Sequence, residues 1–154
     1  MKRNCVKRYM GLDYGSRTVG VAVSDGMNMM ALPLETICRK RETKLRQTVA
    51  RILSLTSEYD IGLIVIGLPL NMDDTEGERC EKTRAFAEIL RRRLPEGIDI
   101  RYCDERLSTF EAEEIAAQMN IPHGERKRHV DAVAAGLILQ RFMDEEQDGR
   151  KTDI

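Results

Sequence analysis

No apolar stretch in this chain of 154 residues approaches the length of a membrane-spanning helix. The basic opening, MKRNCVKRYMG, runs into a short strand-like segment and carries no apolar signal-peptide core. The expectation is a cytoplasmic protein with no membrane partner. The four cysteines, Cys5, Cys38, Cys80 and Cys103, form no CxxC pair and have no histidine cluster beside them. That spacing argues against a zinc site and for reduced thiols. Neither sign of charge dominates, since 25 basic residues face 26 acidic ones for a net charge of −1. The balance neither requires nor forbids nucleic acid as a partner. A Walker A loop, a dinucleotide fingerprint, internal repeats and low-complexity segments are all absent.

What is present suits one globular domain spanning 1–154, with 33% charged and 42% hydrophobic residues. A domain of this size buries roughly two-thirds of its unfolded surface and needs no disulfide or metal to fold. Residues 8–14 and 19–25 read as strands joined at Gly15-Ser16-Arg17, a hairpin. Residues 29–37 suggest a third strand, and Pro33 places it at an edge or a break. The apolar spacing of Leu45, Val49, Ile52, Leu53 and Leu55 fits an amphipathic helix over 42–59. IGLIVI, 61–66, reads as a strand buried on both faces. A polar loop, 71–77, leads to a helix over 78–94 that buries Phe86, Ile89 and Leu90. A strand over 98–103 follows. A helix over 110–119 has a capping box in Ser108 and Glu111. The last helix is expected from about 128 to 143, after a break at Pro122-His123-Gly124, and the polar tail 144–154 is expected to be flexible. The order β-β-β-α-β-α-β-α-α predicts an α/β domain with a mixed sheet and helices on both faces.

Several side chains carry chemistry in this frame. Asp13 ends the first strand before a glycine turn, where a carboxylate stays solvated enough to hold a cation. Arg17 at the hairpin tip is placed for a phosphate. Asp104 and Glu105 follow the last strand with side chains on opposite faces, so only one of them enters a given cleft. Asp131 sits at the edge of an apolar helix stripe, HVDAVAAG, one to two turns in, where the helix dipole would lower its pKa. Ala132, Ala134, Ala135 and Gly136 let that helix pack close to the sheet. Lys127, Arg128 and His129 precede it and suit phosphate contacts. Asn71, in a loop after the buried strand, suits a phosphate or a base. The basic clusters Arg91-Arg92-Arg93 and Arg126-Lys127-Arg128 suit phosphate or a solvated helix face. Three acids at element ends suit Mg²⁺ or Mn²⁺, hard cations that take oxygen ligands and activate water in phosphodiester hydrolysis. Their convergence does not follow from spacing.

GLDYGSRTVGVAVSD, IVIGLPLNMDDTEG, DERLST and HVDAVAAGLIL, in this order, resemble the YqgF/RuvX family over roughly 8–142. The resemblance implies an RNase H-like fold and a five-stranded sheet. It implies nuclease activity on the 5′ end of pre-16S rRNA, or resolution of four-way DNA junctions by a homodimer. By motif, Asp13, Glu105 (or Asp104 in its place) and Asp131 are the catalytic metal ligands. Arg17, Asn71, Arg106 and Lys127 fall at polar positions around the cleft. Two departures stand out. Asp74 occupies a position where the family usually has glycine. Gly67-Leu68-Pro69 stands where related RNase H-like nucleases often carry an acid at the end of the central strand. The second departure supports a rival reading, a nucleic-acid-binding module without catalysis. An actin-like nucleotide binder would need a second domain and a second Asp-Gly hairpin.

Overall fold

A computed structural model describes residues 7–71, 73–105, 114–115, 117–118 and 123–147, with the backbone alone over 123–129. Five strands, β1 (Arg8–Tyr14), β2 (Thr18–Ser24), β3 (Ala31–Cys38), β4 (Ile61–Leu68) and β5 (Asp99–Asp104), form one sheet in the order β3-β2-β1-β4-β5. The first three run antiparallel, β4 pairs parallel to β1, and β5 pairs parallel to β4. The short turn at Gly15, closed by its N–H to the Thr18 carbonyl at 2.7 Å, makes the hairpin. Pro33 lies in the edge strand, where a residue without an N–H costs least. A register shift between Val21 and Ala22 falls opposite it.

Helices α1 (Arg46–Glu58) and α2 (Glu78–Arg93) cover one sheet face, and α3 (His123–Gln147) covers the other. Strand parity sorts the residues. Met10, Leu12, Tyr14, Val19, Val21, Ile64 and Ile66 pack with Val49, Ile52, Phe86 and Leu90 of α1 and α2. Ala22, Val65 and Cys103 pack with Ala135, Ile138, Leu139 and Phe142 of α3. The helix expected over 110–119 lies mostly outside the described residues, although Glu114, Ile115, Ala117 and Gln118 are helical. The Ser108–Glu111 capping box, Arg106 and Cys5 also lie outside them.

The last helix differs from expectation at both ends. It begins at His123, where the sequence suggested a break, and it continues past Met143 to Gln147. A turn former placed just before a helix starts it rather than ending it. At the far end, Gln140 Nε2 donates to the Asp144 carboxylate at 3.0 Å, and the Gln147 amide reaches Met29 Sδ at 3.1 Å. These contacts tie 144–147 down; 148–154 lie outside the described residues. The earlier start puts Asp131 more than two turns into α3, beyond the reach of the N-terminal dipole.

α3 lies unusually close to the sheet because glycines pave the floor. A Cβ on Gly20 would overlap the Asp131 carbonyl. A Cβ on Gly11 would stand 2.7 Å from the Ala135 carbonyl oxygen and 2.8 Å from Leu139 Cβ. Gly136, on α3 itself, has ordinary room, its nearest neighbour being Pro33 Cγ at 3.6 Å. Gly20→Ala should therefore destabilise by about 3 kcal/mol through forced displacement of α3. Gly136→Ala should stabilise by about 0.5 kcal/mol through backbone entropy. Urea denaturation of both variants checks this, and equal effects would contradict the close-packing account.

Candidate active site

Asp13 and Gly20 face each other across the β1–β2 ladder, so they share a sheet face, and Asp131 of α3 rests on Gly20. β5 brings the third acid. Its parity puts Cys103 and Glu105 toward α3, and the Glu105 N–H donates to the Leu68 carbonyl at 3.1 Å. The Glu105 side chain then lies over Gly67, where an added Cβ would stand 2.9 Å from its Oε2. Gly67 thus leaves room at the end of β4, and Glu105 fills it from the neighbouring strand.

Asp13 and Glu105 are hydrogen-bonded to each other. Burial raises the Asp13 carboxyl, and the nearby Asp131 charge raises it further, while the Glu105 hydrogen bond and Arg79 oppose this. Burial, then the Asp13 charge and hydrogen bond, push Glu105 well above the ordinary carboxylate range. Of the two, Glu105 is raised the more strongly, so its carboxyl is the one poised to keep a proton and donate it to Asp13. Asp131 Oδ2 is shielded from solvent. Asp104 takes the other parity, pairs with Leu68, and exerts its charge on Cys80 of α2. Its carbonyl accepts from Arg141 Nη1 at 2.8 Å.

Among the described residues, no group of three His, Cys, Asp or Glu side chains stands ready to hold a metal ion. The donor chemistry nevertheless fits a hard divalent cation. It consists only of carboxylate oxygens, two hydrogen-bonded to each other and a third, Asp131, whose charge acts on Asp13.

Arg17 is exposed at the turn beside Asp13. Asn71 is turned into its own loop, with Nδ2 donating to Thr75 Oγ1 at 2.9 Å and its N–H to the Thr75 carbonyl at 2.9 Å. Asp74 takes φ 69°, the left-handed region that favours glycine, which accounts for a glycine at that family position. Lys127 lies on α3, upstream of Asp131, with its side chain outside the described residues. Arg93 lies at the far end of the sheet with Ile61 and Ile98, the strand starts. Arg91 pairs with Glu88 at 3.4 Å, so this cluster sits away from the acids.

Sequence reasoning missed a cationic support behind Asp13. Tyr14 stacks on Phe86 at 4.3 Å, and Arg39 and Arg79 lie over its ring at 4.8 and 5.6 Å. Arg79 also pairs with Glu42 at 2.8 Å and lowers both Asp13 and Glu105. Its Nη2 is shut off from solvent without a hydrogen-bond partner among the described residues. One signal was available, because an arginine in the first turn of a helix opposes the dipole and calls for a reason.

The comparisons with known proteins agree. A family model described as RuvX, Holliday junction resolvase, matches residues 7–145. A protein of Agathobacter rectalis named "Putative pre-16S rRNA nuclease" is 48% identical over 137 residues, covering 89% of this chain and 94% of that protein. One of Lachnospira eligens with the same name is 46% identical over 140 residues, covering 91% and 99%. The structure of Thermus thermophilus RuvC in complex with a Holliday junction substrate superposes with a TM-score of 0.56 at 12% identity. It covers 97% of this chain and 100% of that one, so the fold is RuvC-like, of the RNase H type.

The shared proton has a pH signature in metal-free protein. Between the ordinary glutamate value of 4.5 and the raised folded value, the folded state holds a proton that the unfolded state has released. Stability is then fully present below 4.5 and is lost as pH rises through the folded value, at up to about 1.4 kcal/mol per pH unit. Glu105→Gln, always neutral and still able to donate, should remove that slope. Denaturation in EDTA from pH 4.5 to 8 measures it, and parallel curves for the two proteins would refute the proton-sharing pair.

Proposed function

The chain belongs to the RuvX family, and we propose from that membership and its acid cluster that it is a divalent-metal-dependent nuclease. It hydrolyses phosphodiester bonds of structured nucleic acid, in the processing of the 5′ end of pre-16S rRNA. One observation carries the reading: Asp13 and Glu105, 92 residues apart, meet in a hydrogen bond beside Asp131. The 41–48% identity to relatives named for that rRNA supports the substrate.

Asp13, Glu105 and Asp131 would hold Mg²⁺ or Mn²⁺, with Glu105 rather than Asp104 as the β5 ligand. A bound divalent ion supplies an activated water and neutralises charge on the leaving oxygen. Glu105 would have to be ionised to serve as a ligand, and Arg79 favours the ionised form of both Glu105 and Asp13. Arg17, exposed at the turn, holds the phosphate backbone at the mouth of the cleft. Arg106 and Lys127 are assigned the same task by motif. Asn71 orders the loop that borders the cleft. The rival reading of a binding module was prompted by the lack of an acid at Gly67; the Glu105 carboxylate lies over that position, which supports the nuclease reading.

Asp13→Asn is nearly isosteric and should abolish metal-dependent cleavage while nucleic-acid affinity stays level or rises slightly. Arg17→Ala should weaken binding and its salt dependence first. Single-turnover cleavage of a pre-16S 5′ fragment, with and without Mg²⁺ or Mn²⁺, and salt-matched binding check both. Equal cleavage rates for wild type and Asp13→Asn would remove Asp13 from the catalytic set.

The family description and the RuvC-like fold support a second reading, cleavage of four-way DNA. Each chain brings one acid cluster, so two symmetric cuts require a homodimer. Analytical ultracentrifugation with and without junction DNA tests it, and a monomer under both conditions would leave only the RNA reading.

A further inference from the structure

The connection from β3 to α1 carries cations that the acid cluster does not use. A concavity of about 560 Å³ opens there, lined by Arg39, Lys40, Lys44, Leu45, Arg46 and Gln47 among others. That volume falls within the roughly 300–1,000 Å³ of ligand clefts. Lys40, Lys44 and Arg46 are exposed. Several cations elsewhere in the fold have carboxylate partners: Arg51 pairs with Glu35, Arg79 and Lys82 with Glu42, and Arg84 with Glu76. Among the described residues, Arg39, Lys40, Lys44 and Arg46 have no such carboxylate. The nearest acid in sequence, Glu42, is engaged by α2 instead. Four like charges gathered around one hollow repel one another unless an anion enters. Leu45, ahead of α1, offers no side-chain cap, and the first turn of the helix holds no acid. The N–H groups of that first turn add to the positive potential.

The hollow is fastened to the turn beside Asp13. Arg39 Nη2 donates to the Gly15 carbonyl at 2.6 Å, and the Arg39 N–H donates to the Arg17 carbonyl at 2.8 Å. Arg39 Nη1 is shut off from solvent and has no hydrogen-bond partner among the described residues. The acid cluster, Arg17 and the hollow therefore follow one another around the same end of the sheet. We propose that this hollow is a second binding site for phosphodiester backbone, and that the nucleic acid held at the acid cluster continues past Arg17 into it. The inference rests on the nuclease reading.

The test uses Lys40→Ala/Lys44→Ala/Arg46→Ala, whose exposed side chains leave the core untouched, and Lys40→Arg/Lys44→Arg as a charge-preserving control. Fluorescence anisotropy in EDTA follows a labelled RNA hairpin with a single-stranded flank across a salt series. The triple variant should bind about tenfold more weakly, and the slope of log K on log salt should shrink by about 0.7 for each phosphate that is no longer neutralised. The control should match wild type. At saturating protein, with Mn²⁺, the triple variant should still cleave within about twofold of wild type. Wild-type affinity and slope in the triple variant would overturn this inference alone, provided that wild type cleaves and Asp13→Asn does not. A wild type that neither binds nor cleaves would overturn the nuclease reading along with it. Adenosine monophosphate competing as tightly as the hairpin would assign the hollow to a free nucleotide and overturn the backbone site.

Discussion

The contact on which everything else depends is the seating of α3 on a floor of glycine. At Gly20 and Gly11 the helix backbone comes so near the sheet that a single methyl group would collide with it. Ordinary helix-on-sheet packing interposes side chains on both layers, and the extra separation would lift Asp131 away from β1. Small residues on both layers remove that separation. Ala132, Ala134 and Ala135 are buried on the helix. The acid cluster is thus a consequence of how closely two layers approach, and Gly67 extends the same device to β4, where it admits Glu105.

Such closeness has an electrostatic cost. Carboxylates drawn together out of water resist full ionisation, and burial with their mutual charge raises both Asp13 and Glu105, Glu105 the more strongly. Arg79 offsets part of the charge from the opposite face, held in place by Glu42 and the Tyr14 ring. Asp13 and Tyr14 are neighbours in β1 and point to opposite faces, so the strand connects an acidic side to a cationic one. The net charge of −1 conceals this separation.

Much of this architecture is legible in the sequence because strand periodicity is local. The run 61–66 announces a doubly covered strand, and it is one. Pro33 marks an edge strand, and β3 is at the edge. Asp13 is recognisable at the rim, and parity alone separates Asp104 from Glu105. Which of the two faces the cleft depends on where α3 lies, and no local pattern encodes that. The start of α3 is ambiguous in the sequence because Pro-His-Gly both ends and begins helices. Arg39 and Arg79 are inconspicuous there because their partners, Tyr14 and Glu42, come from separate elements, and a lone arginine looks like any solvated one.

The path around the sheet end also bears on the kind of nucleic acid that fits. The acids lie on the α3 side, the unpaired cations on the α1 side, and Arg17 between them at the turn. A nucleic acid that touched all three would pass from one sheet face to the other around the β1–β2 turn. Duplex DNA, with a persistence length of about 150 base pairs, resists such a bend at a cost of several kcal/mol. A single strand, or the crossing point of a branched substrate, turns there with little resistance. Both the 5′ flank of a precursor RNA and the centre of a four-way junction meet that condition, whereas an uninterrupted duplex does not. On the reading proposed above, a substrate that follows this path would need a break in helical continuity before any base is read, and specificity for a particular RNA or junction would be added by contacts outside this shared core.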